Sequence, residues 1–127
     1  MKCRMIQVRH PAEGEGVYVV DVATGKPPVP GDMFFELSPE RLERDEPGCL
    51  SDRYKALPEP RRAPIWVILP TGRWFCVDFR YYEHEKGGWW GDGWSVSGTP
   101  PELTLAPSIH AVGNWHGYLR GGELSLA

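Results

Sequence analysis

Glycine and proline punctuate this chain too often for a long helix to fit anywhere in it. Its 127 residues include 15 Gly and 13 Pro. Proline fixes φ and lacks the N–H that continues a helix, and glycine loses the most freedom on ordering. Short strands joined by turns are what such spacing permits. The length suits one domain. Residues 1–127 therefore read as a single, mainly β (α+β) domain of short antiparallel strands and hairpins, with one or two short peripheral helices. Residues 1–64 supply strands and a polar helical or loop segment, and residues 65–127 form a Trp-rich β half.

Met5-Ile6-Gln7-Val8 and residues 17–22 read as strands, because β-branched and aromatic side chains suit a pleated surface. Pro27-Pro28-Val29-Pro30-Gly31-Asp32 is a rigid loop, and Met33 to Leu37 follow as a short buried strand. Ser38-Pro39-Glu40 is a helix start, with a capping hydroxyl, a proline at the first helical position and an acid at the positive end of the dipole. Pro47-Gly48 stops it, and Ser51-Asp52 could open a second short helix before Pro58 and Pro60.

All six tryptophans lie between Trp66 and Trp115. Ile65-Trp66-Val67-Ile68-Leu69 is a continuous apolar run, which predicts a central strand. Pro70-Thr71-Gly72-Arg73 turns the chain into Trp74-Phe75-Cys76-Val77. Residues 83–93 hold four glycines and the pair Trp89-Trp90, and read as a loop that either covers the core or forms a binding surface. Trp94 to Ser97 and Leu103 to Leu105 are further strands. The expected core is Val17, Val19, Phe34, Ile65, Val67, Leu69, Phe75, Trp94, Leu105, Leu119 and Leu124.

The net charge of −3, with no long basic run, argues against a nucleic-acid partner, which would need a positive surface. No stretch approaches the ~18 apolar residues of a membrane span, and no apolar segment follows the basic start as a secretion signal would require. The expectation is a soluble protein with no membrane partner. Cys3, Cys49 and Cys76 are odd in number and far apart, so free thiols in a reducing compartment are expected. Nothing in the chain calls for a cofactor. Cys3 and His10 have no second close pair beside them, and His84 and His110 lack ligand partners at metal-motif spacing, so no metal site is expected.

The clearest local signal is Gly121-Gly122, flanked by Trp115 to Arg120 and by Glu123 to Leu126. A type I′ turn needs φ > 0 at both central positions, which Gly-Gly supplies. Such a turn pairs Arg120 with Glu123, Leu119 with Leu124 and Tyr118 with Ser125. Alternation then puts Trp115, Gly117, Leu119, Leu124 and Leu126 on a core face. His116, Tyr118, Arg120, Glu123 and Ser125 take the other face. Ser108 lies eight residues before His116, fixed by Pro107, and residues 111–114 could fold it back over the imidazole. A serine needs a base to become a nucleophile, and a third group must orient that base. Asp92 is the first choice for that group, because Gly91-Asp92-Gly93 can present it without strain; Glu102 and Asp78 are alternatives. A serine that merely bonds the turn backbone is the competing reading.

Residues 93–109, with Pro107-Ser108-Ile109, and then His116-Gly117-Tyr118-Leu119-Arg120-Gly121-Gly122-Glu123-Leu124 resemble the C-terminal signature of a family of small, uncharacterised phage and prophage proteins. The signature runs P-S-I, a short loop, then H-G-x-L-x-x-G-x-L. Pro30 to Phe35 and Leu69 to Trp74 resemble the family's front half. The wider family is similar to serine peptidases of bacterial ubiquitin-like conjugation operons. That resemblance implies Ser108 as nucleophile and His116 as base. It also implies work in the bacterial host cytoplasm, or association with the virion, on a host or phage protein.

Two functions are therefore expected. One is a serine hydrolase or peptidase using Ser108, His116 and Asp92, with the Ile109 N–H or a Gly-loop donor on the oxyanion. The other is a non-enzymatic phage protein, anti-defence or structural, that binds its partner through Trp89, Trp90 and Trp94, with Tyr118 and Arg120 beside His116.

Overall fold

The central sheet is built where the apolar run at Ile65 predicts it. The structure is a computed structural model, and it describes residues 1–14, 19–37, 63–77, 81–83, 88–90, 95–106, 108–111 and 113–127. Four strands form this sheet: β1 (Arg4–Met5), β4 (Asp32–Phe35), β5 (Ile65–Ile68) and β6 (Trp74–Cys76), in the order β1-β4-β5-β6. β5 is antiparallel to both neighbours, with Phe34 opposite Trp66 and Val67 opposite Phe75. β1 joins β4 in parallel.

Both faces of this sheet are apolar, which is why β5 reads as an unbroken hydrophobic run. Met33, Ile65 and Val67 point into the larger core, with Leu69 just beyond the strand. Phe34 and Ile68 point the other way, into a second cluster with Val8 and Val19. Trp74 stands edge-on to Phe34 at 5.2 Å and leans on Trp66 at 6.0 Å. The Trp66 indole N–H donates to Glu36 Oε2 at 2.8 Å, which satisfies the polar end of a half-buried ring.

A second sheet closes the larger core from the opposite side. It comprises β11 (Ile109–Ala111), β12 (Trp115–Arg120) and β13 (Glu123–Leu126). Ile109, Trp115, Leu119 and Leu124 turn inward onto Met33, Ile65 and Val67. Residues 1–3 tie the two sheets together. The amino group of Met1 donates to the Leu124 carbonyl at 2.8 Å. The Leu124 N–H returns to Met1, the Cys3 N–H reaches Gly122, and Lys2 bridges Glu123. The same chain then runs into β1.

Three two-stranded units complete the described residues. β2 (Val8–Arg9) pairs with β3 (Val20–Asp21). β9 (Ser95–Ser97) pairs with β10 (Thr104–Ala106). β7 (Tyr81–Glu83) pairs with β8 (Gly88–Trp90). Arg4, 59% exposed, bonds buried Asp32 at 2.6 Å and lies 3.7 Å from buried Asp21. Each aspartate also accepts a backbone N–H, from Val29 and Ala23 respectively, so both buried carboxylates have partners beyond the arginine.

The fold is mainly β, and no helix occurs among the described residues. The helix starts expected at Ser38 and Ser51 lie outside them, as do Val17, Cys49 and Trp94. Among the described residues no helix is long and apolar enough to cross a membrane. Cys3 and Cys76 are buried free thiols. The other described members of the expected core are buried, except for half-buried Phe75.

Several expectations need correction. Residues 83–93 are not one loop, because Gly88–Trp90 pairs with Tyr81–Glu83, setting Tyr81 opposite Trp90 and Tyr82 opposite Trp89. The aromatic strand propensity of four such residues outweighs the local glycines. The strand expected at residues 5–8 breaks into β1 and β2, which serve different sheets. Phe35 and Leu126, each the last residue of its strand, are exposed at 42% and 76% rather than buried.

Candidate functional site

The site face is set by the register of the last three strands. The Gly121-Gly122 turn pairs Arg120 with Glu123, Leu119 with Leu124 and Tyr118 with Ser125, as the sequence predicts. Both glycines have positive φ, at 54° and 78°. On the other side of β12, Ile109 lies opposite Gly117, His110 opposite His116 and Ala111 opposite Trp115. The connection is closed by the Asn114 N–H on the Ala111 carbonyl, with Gly113 at φ 73°.

This register puts Ser108, His110, His116 and Tyr118 on one face, two-residue steps apart. Ser108 is half-buried and both histidines are exposed. Ser108 Oγ lies 3.2 Å from His116 Nε2. With the ring proton on Nδ1, the hydroxyl donates to Nε2, the arrangement a general base requires.

Sequence reasoning misses His110. Its ring stacks on His116, with centroids 4.7 Å apart and planes at 30°. The backbone explains the closeness. The His116 carbonyl accepts from the Ala127 N–H, so its hydrogen bonds point toward β13 and away from β11. His110 and His116 are thus a non-hydrogen-bonded pair, the kind in which side chains approach most closely. The one signal for it is a strand beginning right after Pro107-Ser108. Placing Ala111 in a loop hides that strand.

The same alternation corrects the expected oxyanion donor. Ile109 and Gly117 form the hydrogen-bonded pair, so the Ile109 N–H is committed to the ladder. Among the described residues no strand pairs with the other edge of β11, and the His110 N–H is directed off that edge.

Tyr118 and Arg120 belong together on this face. The guanidinium sits 3.9 Å from the centre of the Tyr118 ring, a cation–π contact. Trp89 and Trp90 lie on β8. Asp92 and Asp78, two candidate orienting acids, lie outside the described residues, and so does Trp94. Glu102 is exposed in the turn before β10, and its N–H bonds the Thr99 carbonyl. Among the described residues no carboxylate bonds the second nitrogen of His116. No group of three or more metal-binding side chains occurs among them either. No family model matches the chain, and no curated protein or solved structure matches it significantly.

Proposed function

We propose that the protein is a serine hydrolase of peptidase type, with Ser108 as nucleophile and His116 as general base. The observation that supports this most is the 3.2 Å contact between Ser108 Oγ and His116 Nε2. As Oγ attacks an acyl carbon, its proton passes to Nε2; the imidazolium then gives that proton to the leaving amine. Water reverses the sequence to free Ser108. His110 stacks on one face of the base. Its outward N–H is a candidate donor to the oxyanion, and Asp92 is the candidate for orienting the ring. The substrate in this reading is a host or phage protein in the bacterial cytoplasm, in keeping with the resemblance to phage proteins.

A fluorophosphonate probe tests the nucleophile directly. The wild-type chain should be labelled at Ser108, and Ser108→Ala and His116→Ala should not be. Ser108→Ala should stay folded, losing only about 0.5–1.5 kcal/mol of stability with its hydrogen bond. A folded wild-type protein left unlabelled, or labelled equally in His116→Ala, would refute the reading.

A second reading is a phage accessory protein that binds its partner through aromatic side chains. Its support is the β7–β8 hairpin, whose register opposes Tyr81 to Trp90 and Tyr82 to Trp89. Tyrosine and tryptophan are favoured at interface hot spots. It predicts that replacing Trp89 and Trp90 by Ala abolishes biological activity while Ser108→Ala leaves it intact.

A further inference from the structure

We propose that His110 and His116 together chelate a divalent late-transition-metal ion of the zinc, nickel or copper class. This site does not depend on the hydrolase reading. Three observations carry it. The two residues are directly opposed across antiparallel strands, in the pair type that brings side chains closest. Their rings already face each other at 4.7 Å with a 30° tilt. Both are exposed, so an ion can arrive hydrated and keep waters on its open positions.

The geometry suits one ion between two imidazoles. A zinc–nitrogen bond is about 2.0–2.1 Å, so two ligand nitrogens on one tetrahedral ion lie about 3.3 Å apart. An imidazole nitrogen binds a metal through the lone pair in its ring plane, so the stack, 4.7 Å between centroids, opens on binding as the two exposed rings rotate about χ1 and χ2. The strands need not move, because the ladder through Ile109 and Gly117 fixes both Cα positions.

Imidazole ligands with solvent suit zinc, nickel and copper, and neither magnesium nor calcium, which prefer oxygen. Ser108 is the neutral neighbour on one side and Tyr118 on the other. Arg120, the nearest cation along the face, is held against Tyr118 at 3.9 Å. An ion taken through Nε2 of His116 competes with the Ser108 hydroxyl for that atom.

Titration of Ni²⁺ and Zn²⁺ into the intact chain, followed by calorimetry, tests the site. One ion should bind per chain. Losing an outer-shell partner of a metal ligand already weakens binding about 10–100-fold, so His110→Ala and His116→Ala should each weaken it by about tenfold or more. Ser108→Ala, His10→Ala and His84→Ala should not weaken it. Thermal melts of each variant report whether the fold is kept. In the wild-type protein, substoichiometric Cu²⁺ should broaden the ring resonances of His110 and His116 together, a readout that needs no variant. No binding, or binding that survives both His110→Ala and His116→Ala, would overturn the proposal. Selective broadening of any other histidine would overturn it too.

Discussion

Gly121 and Gly122 are neighbours with the same backbone requirement and different surroundings, so substituting each isolates one effect. Both have positive φ, at 54° and 78°. An L-residue in that conformation costs about 1–2 kcal/mol, partly offset by the restriction alanine places on the unfolded chain, about 0.4–1 kcal/mol. A Cβ on Gly121 meets nothing within 4 Å, so Gly121→Ala should cost only about 1 kcal/mol. A Cβ on Gly122 would fall 2.6 Å from the Pro101 carbonyl oxygen and 3.0 Å from Glu102 Cα. The turn cannot step back from them. The Gly122 N–H is held by the Leu103 carbonyl at 3.0 Å, and its own carbonyl holds the Cys3 N–H at 2.8 Å. Overpacking of this kind adds about 1–3 kcal/mol, so Gly122→Ala should cost about 2 kcal/mol more than its neighbour. A chain of 127 residues unfolds with an entropy near 0.3 kcal/mol per kelvin, which makes the gap about 7 °C in Tm. Calorimetric melts of the two variants beside wild type measure it. Equal melting temperatures, or a lower one for Gly121→Ala, would refute the docking of this turn onto residues 101–103.

Leu119 is fully buried between the sheets, so Leu119→Ala should cost about 2–5 kcal/mol in urea unfolding without changing which residues pair across β12. Burial pushes the Cys3 thiol from 9.0 up to about 11. The unfolded thiol ionises first, so the stability from keeping it neutral is full below about pH 9 and is lost as pH rises toward 11. Cys3→Ala should flatten that alkaline decline, read as the slope of unfolding free energy between those pH values. Native Cys3 should also resist alkylation at pH 8 until denaturant is added, because the thiolate is the reactive form.

The site is partly legible in the residues themselves. Gly121-Gly122 fixes the final hairpin, and that hairpin assigns His116 and Tyr118 to the face opposite Leu119. Pro107 and the short connection lead to the expectation that Ser108 approaches His116. The reason the two side chains meet is different. Ser108 arrives on the continuation of a strand whose register opposes His110 to His116. Residues 108–111 give little periodic signal, being too short to alternate visibly, so neither that strand nor the histidine pair can be read from them.

The sequence by itself determined the mainly β character, the central place of β5 and the pairing of β12 with β13. Each follows from local chemistry: proline and glycine spacing, an apolar run and a turn that only Gly-Gly makes cheaply. Tertiary structure alone decided how the sheets meet. Residues 1–3 pair with β13 and then run into β1, a contact between positions more than 120 residues apart that no local preference encodes. It likewise decided that Trp89 and Trp90 lie on a strand and that His110 stacks on His116. A partner across a sheet is chosen by long-range register, and register is fixed by which faces the whole core buries.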